Sequence, residues 1–303
     1  LHTDCVTILN PALVITQPAA LSASVNSANV TCNGQDDGTI TITGAAGGYG
    51  TYQYSINGGA SWQASGNYTD LAPGNYNIQI RDALHTDCVT ILNPALVITQ
   101  PDILNATATS NSPRCSGSIL NLTATASGGT PGYLFQWTGP NSFSSANQNP
   151  SINDVTQSSS GTYILAVTDL NGCSFNTSTI VIINTAPIFA NCPVSPFYLN
   201  TQSNSCSTIA NYTVTATGSP NPTLTYTFTG ATTSSGNGTG SGSLFNVGTT
   251  TVTIRAQNIC GFSECSFNIV VNDNQSPIIT CPTPANPYNL DAGQCDATLS
   301  FEI

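Results

Sequence analysis

Short runs in which apolar and polar residues alternate one by one recur along the whole chain. In GTITITG, residues 38–44, Ile40 and Ile42 point one way while Thr39, Thr41 and Thr43 point the other. In GNYNIQIRD, residues 74–82, Tyr76, Ile78 and Ile80 make the inward row. In YLFQWTG, residues 133–139, Tyr133, Phe135 and Trp137 share a face. A period of two is the signature of a strand with one buried face, and Gly, Asn, Ser and Pro clusters bound each run. No stretch sustains helical periodicity, and no apolar run approaches the ~20 residues that span a bilayer. The pattern predicts an all-β chain with no membrane span.

The runs are organised by repetition. LHTDCVTILNPALVITQP stands at residues 1–18 and again, unchanged, at 84–101, a displacement of 83 residues. This makes residues 1–18 the tail of one repeat and 19–101 the next complete repeat, as in a window on a longer tandem array. A second module, 102–186, keeps the layout with ILNLTATASGG, YLFQWTGP and GTYILAVTDLNGC. A third, 187–274, carries NYTVTATG, TLTYTFTG and GTTTVTIRAQN. Residues 275–303 begin a fourth, since PIFANCP at 187–193 returns as PIITCP at 277–282. All three complete modules share a Gly that opens an alternating strand ending near a polar turn, at 74–82, 161–169 and 248–258. Leu71, Val155 and Phe245 precede these strands. Consecutive modules of this size with short strands predict tandem immunoglobulin-like β-sandwiches. Short proline-bearing linkers at 99–101, 184–187 and 274–277 predict an extended rod, because proline fixes its own φ and biases the preceding residue toward extended backbone.

Charge narrows the functional classes. Only 6% of residues are charged, the cations are Arg81, Arg114 and Arg255, and the net charge is −11. Nucleic-acid binding draws on clustered Lys and Arg, so nucleic acid is excluded as a partner. The 11 cysteines show neither zinc-type C-x-x-C spacing nor a His cluster, and predict disulfides in an oxidising, extracellular compartment. Corresponding places suggest Cys32–Cys88 and Cys115–Cys173, on the reading that both places lie at one end of a sandwich. In the third module Cys192–Cys265 and Cys206–Cys260 are preferred over the local loops Cys192–Cys206 and Cys260–Cys265. Cys5, Cys281 and Cys295 are left for partners outside the chain.

Few residues suggest other chemistry. His85, with Asp82 and Asp87 beside it, has no strained nucleophile turn and reads as a solvated turn, so no enzyme is expected. NGQDDG at 33–38 has Asp36 and Asp37 in calcium-loop style, but the twelfth residue is Gly44 where an EF-hand needs Glu. Asp273 in VNDNQSP is the other calcium candidate, and both places read first as ordinary turns, so no cofactor is required. Trp62 offers a ring for stacking on a sugar, with a core position as the preferred alternative.

GQDDGTITITGAAGGYGTYQYSINGG, followed by LAPGNYNIQIRDA and a cysteine, resembles the SprB-type repeat of very large surface adhesins of gliding Bacteroidota. The usual Asp–Ala–Asn–Gly–Cys ending is replaced here by the longer DALHTDC. The second module is similar to the immunoglobulin-like domains of the same proteins, and the third and fourth to hyalin (HYR) repeats. The resemblance implies a structural stalk or filament at the cell surface, exported by the type IX route, that serves attachment and gliding. Its expected partners are neighbouring repeats, surface polysaccharide and other copies of the filament.

Overall fold

The computed structural model describes residues 16–276. Within them the chain is built of strands joined by turns, with a single 3₁₀ turn at Gln157–Ser159. It divides into two compact units between Ile183 and Asn184, and the first unit contains two separate hydrophobic cores.

The first sandwich contains strands β1 (Ser22–Ala28), β2 (Gly38–Ala46), β3 (Tyr52–Ser55), β4 (Asn67–Leu71), β5 (Gly74–Asp82) and β6 (Val89–Ile98). One sheet has the order β1-β2-β4 and the other β3-β5-β6, all antiparallel. The alternation sends Ile40 and Ile42 from β2, and Ile78 and Ile80 from β5, between the sheets. Leu21, Val30, Tyr54 and Ile98 complete that core.

The second sandwich contains β7 (Asn105–Ser110), β8 (Arg114–Cys115), β9 (Leu120–Ser127), β10 (Leu134–Gly139), β11 (Phe143–Ser145), β12 (Ser151–Ile152), β13 (Gly161–Thr168) and β14 (Ser174–Val181). Its sheets run β12-β9-β7 and β11-β10-β13-β14. Trp137 on β10 is fully enclosed, with Leu120, Leu122, Tyr163 and Leu165 in the same core. Its indole Nε1 donates to the Gln148 carbonyl at 3.1 Å, so the one polar atom of the ring is satisfied in the interior.

The two sandwiches share a corner that fixes the strand after it. Tyr76 Oη donates to the Ala72 carbonyl at 2.8 Å, and Tyr163 Oη to the Ser159 carbonyl at 3.0 Å. Each tyrosine lies two residues after the glycine that opens its strand, which is the tyrosine-corner arrangement of immunoglobulin-like sandwiches.

The second unit contains all but the first residue of β15 (Ile183–Asn191), then β16 (Phe197–Asn200), β17 (Ser207–Ile209), β18 (Thr215–Ser219), β19 (Thr223–Gly230), β20 (Ser234–Asn237), β21 (Leu244–Asn246), β22 (Gly248–Asn258) and β23 (Gly261–Asn272). A five-stranded sheet, β16-β23-β22-β19-β20, lies over the β17-β21 and β15-β18 pairs. β16 joins β23 in parallel and the other pairs are antiparallel. Val252, Ile254, Phe267 and Ile269 alternate inward from the long β22–β23 hairpin onto Phe228 and Phe245. The protein is thus all-β, made of tandem immunoglobulin-like β-sandwiches.

Candidate functional site

The first unit presents one place where two sandwiches are chemically joined. The turn between β1 and β2 closes with Gln35 N donating to the Cys32 carbonyl at 3.1 Å. Gly34 supplies the positive φ of 78° that the turn needs, which glycine adopts without strain. This turn is fastened to the chain as it leaves the first sandwich. Asn33 Nδ2 donates to the Pro101 carbonyl at 2.9 Å, Gly34 N to Gln100 Oε1 at 2.9 Å, and Val30 N to the Thr99 carbonyl at 3.0 Å. Cys32 therefore sits at the exit pole.

At the entry pole of the second sandwich the chain wraps around a buried carboxylate. Asp169, 3% exposed, accepts hydrogen bonds from Thr130 N at 2.8 Å, Asn171 N at 3.0 Å and Cys173 N at 2.9 Å. Gly128 and Gly129 allow the approach. A Cβ on Gly128 would stand 2.0 Å from the Ile103 carbonyl oxygen, and one on Gly129 would stand 2.5 Å from Asp169 Oδ2. The carboxylate thus holds the 169–173 turn and places Cys173 toward the first sandwich.

Cys32 and Cys173 are joined by a disulfide with Cα atoms 5.8 Å apart. Beside it Asn171 Nδ2 donates to the Thr31 carbonyl and to Thr130 Oγ1, each at 3.0 Å. An open cavity of about 530 Å³ lies against the bridge, lined in part by Asn33, Ile103, Leu104 and Phe175. A covalent bond across a junction can carry tension from one sandwich to the next without loading the short linker.

This corrects three expected pairings. Cys32 is bonded to Cys173, so neither Cys32–Cys88 nor Cys115–Cys173 forms. Cys88 and Cys206 carry exposed thiols, whereas Cys115 and Cys260 are disulfide-bonded, so Cys206–Cys260 does not form either. The error lay in placing the two cysteines of a module at one end. Cys32 lies beside Pro101 at the exit pole, whereas Cys88 lies beside Pro18 and Ala19 at the entry pole. A nine-residue strand such as β2 separates the poles by roughly 30 Å, far beyond disulfide reach. Cys192 is bonded to Cys265, the pair placed together on sequence grounds, and their Cα atoms are 5.8 Å apart. Cys5, Cys281 and Cys295 lie outside the described residues.

Sequence reasoning missed the carboxylate that organises each entry pole. In the first sandwich Asp82, fully buried, accepts from Tyr49 N at 2.6 Å, Leu84 N at 2.9 Å and His85 N at 3.0 Å. Gly47 and Gly48 pass it as Gly128 and Gly129 pass Asp169, and Tyr52 Oη donates to the Gly47 carbonyl as Tyr133 Oη does to that of Gly128. In the second unit Asn258 takes the place: its Oδ1 accepts from Cys260 N at 2.8 Å and its Nδ2 donates to the Thr185 carbonyl at 2.8 Å. The available signal was the matched spacing of Gly-Gly and Tyr at 47–52 and 128–133, each followed by the Asp that ends the Gly-led strand.

These carboxylates are expected to make the first unit acid-sensitive. Burial pushes the pKa of Asp82 and of Asp169 upward, but the converging backbone N–H groups outweigh it and hold both below the usual value. A carboxyl whose folded pKa is depressed stabilises the fold fully above its unfolded value of about 3.9 and loses that contribution as pH falls through the folded value. In calorimetric scans from pH 6 downward, the transitions of the two Asp-bearing sandwiches are expected to fall below about pH 4. The Asn258-bearing sandwich has no such charge at its pole and is expected to shift less.

The remaining candidates lie apart from the junction bond. Asp36 is exposed, and Asp37 accepts hydrogen bonds from the hydroxyl and the backbone N–H of Thr31, which lower its pKa. Asp273 Oδ1 accepts from Gln275 N at 3.0 Å within its own turn. Among the described residues no three His, Cys, Asp or Glu side chains converge as a metal site would require. Trp62 is half-buried rather than part of the core cluster, because it lies on the β3–β4 connection outside both sheets. Its Nε1 donates to the Gly59 carbonyl at 2.9 Å, and the Arg81 guanidinium covers the ring 4.5 Å from its centroid. Tyr49 and His85 stack at 3.9 Å at the first entry pole. Among the described residues no helix is long and apolar enough to cross a membrane.

Comparison with known proteins gives one family match: residues 24–61, which span β1 to the turn after β3, match the SprB repeat. No curated protein matches the chain. Among solved structures, a three-domain I-band fragment of titin is similar at 11% identity and a TM-score of 0.48, covering 85% of this chain and 100% of that one. The three N-terminal domains of the bacteriophage RB49 Highly Immunogenic Outer Capsid protein are similar at 15% identity and a TM-score of 0.37, over 84% and 100% of the two chains. Extracellular domains 3–5 of Drosophila OTK give 15% identity and a TM-score of 0.38, over 86% and 96%. These likenesses are loose.

Proposed function

We propose that this chain is a tension-bearing segment of the stalk of a large extracellular adhesin. The observation that carries the proposal is the Cys32–Cys173 bond, which joins consecutive sandwiches. The SprB-repeat match at 24–61 and the tandem immunoglobulin-like fold agree with a structural segment outside the cell. Disulfides persist in oxidising compartments, which supports the same location. The repeat boundaries at residues 101, 186 and 274, the HYR-like character of the last modules, type IX export and a role in attachment and gliding by Bacteroidota belong to this proposal. The mechanism needs no cofactor and no catalytic group.

The test uses living source cells and beads coated with antibody against residues 19–101. Beads that bind intact cells and travel along them are the expected result for a propelled surface stalk. Beads that bind and stay in place restrict the proposal to static attachment. Capture from lysed cells alone contradicts a surface location.

A second reading, polysaccharide binding, has one observation in its favour, the half-exposed ring of Trp62. Loss of glycan retention in Trp62→Ala, with folding intact, is the result it requires.

A further inference from the structure

Two observations together extend the junction bond into a rule. Each sandwich of the first unit has a cysteine at its exit pole and another at its entry pole. Cys32 and Cys115 are equivalent: each is followed after one residue by a glycine with positive φ, Gly34 at 78° and Gly117 at 83°. Each also accepts at its carbonyl from the residue three further on, at 3.1 Å in both cases. Cys88 and Cys173 are equivalent as well, because the Asp82 and Asp169 N–H groups donate to their carbonyls at 3.1 and 2.9 Å. The pole separation keeps the two cysteines of one sandwich apart, and within the first unit the exit-pole Cys32 instead meets Cys173, the entry-pole cysteine of the sandwich that follows.

Cys88 is an entry-pole cysteine with an exposed thiol, whereas its counterpart Cys173 is oxidised. The segment around it has an identical copy at residues 1–18, so the repeat that Cys88 closes is directly preceded by the closing segment of another. We infer that Cys88 forms a disulfide with the exit-pole cysteine of the preceding repeat. Cys88–Cys32 pairs between neighbouring copies, together with Cys32–Cys173, then form a ladder in which each repeat is bonded to the one before it.

The chemistry is ordinary thiol–disulfide exchange. The Cys88 thiolate attacks a low-molecular-weight disulfide and releases one thiol. The exit-pole cysteine then displaces the second, so two protein thiols are oxidised and one disulfide is reduced to two thiols. The inference stands on the equivalence of the poles, whether or not the whole serves as a stalk.

The test extends the chain ahead of Leu1 by one more copy of residues 19–83, which restores the 83-residue period across the joint. The protein is equilibrated with reduced and oxidised glutathione, alkylated, and digested without reduction after unfolding. The unextended chain is expected to alkylate at Cys88. In the extended chain that labelling is expected to be lost, with the peptide bearing Cys88 linked to the peptide bearing Cys32 of the added copy. Cys32→Ser in the added copy alone should restore Cys88 alkylation without disturbing the Cys32–Cys173 bond. Persistent labelling of Cys88 in the extended chain, a link between Cys88 residues of two chains, or a link between the added Cys32 and Cys5 would each overturn the inference.

Discussion

Pulled from its two ends, the oxidised protein is expected to yield far less length than the reduced one. The Cys32–Cys173 bond spans 141 residues of sequence. In the oxidised chain tension enters the first sandwich through β1, crosses at Cys32 and leaves through β14. Strands β2 to β13 and the linker between the sandwiches are bypassed. Reduction returns those residues to the load path, and at ~3.4 Å per extended residue the 141 residues amount to roughly 480 Å of contour length. Single-molecule pulling of Cys32→Ser beside the oxidised parent reads this difference directly, and a reductant should add to it the length held by the Cys192–Cys265 bond. The same bond limits the unfolded ensemble, with a chain-entropy gain of roughly 5 kcal/mol for a loop of this size. By the same logic the Cys192–Cys265 bond, 73 residues apart, shields part of the second unit. Loss of extension on oxidation is the property a stalk under load requires.

The second large effect concerns the core of the second sandwich. Trp137→Ala is expected to cost roughly 3–5 kcal/mol, the usual range when a buried Trp is cut to Ala. Trp137 is fully enclosed between β9 and β13, and Gln148, whose carbonyl accepts its Nε1, also donates through Nε2 to the Ala124 carbonyl at 2.9 Å. Removing the ring leaves a cavity and an unpaired acceptor in one step. Domains of this size have a total stability of about 5–15 kcal/mol, so the second sandwich would become marginal while the others keep their own transitions. Trp62→Ala, on a half-exposed ring, should cost no more than about 2 kcal/mol. Denaturant titration of both variants checks the contrast, with Trp62 fluorescence left in Trp137→Ala as the reporter of the first sandwich. A Trp137→Ala variant as stable as the parent would place the ring outside the core.

Strands and cores were legible because burial on one face of a sheet writes a period of two into the residues. Ile40, Ile42, Ile78, Ile80 and Trp137 all lie where that alternation puts them. What escaped were features set by contacts between distant residues. The run 211–218 alternates like one strand, yet only Thr215–Ser219 is paired. Tyr212 is drawn out of the ladder by bonds to Ser241 and Thr239. The parallel pairing of β16 with β23 likewise leaves no mark in either segment.

The candidate site was half legible. The cysteines were recognised as disulfide-forming, but their partners depend on which pole each turn occupies. Alternation along single strands does not report the pole; the order of strands across both sheets does. The buried Asp82 and Asp169 look like turn residues, because an acid held by backbone N–H groups needs no charged neighbour to announce it.

The bond from Cys32 to Cys173 joins consecutive sandwiches and sets the load path. Trypsin tests it simply, since cleavage after Arg81, Arg114 and Arg255 leaves Cys88 as the only cysteine of peptide 82–114. Alkylation, unfolding and digestion without reduction should release 82–114 alone, carrying an alkylated thiol, while 1–81 stays joined to 115–255. Recovery of 82–114 bonded to 1–81, with 115–255 free of both, would contradict the junction bond and the load path built on it.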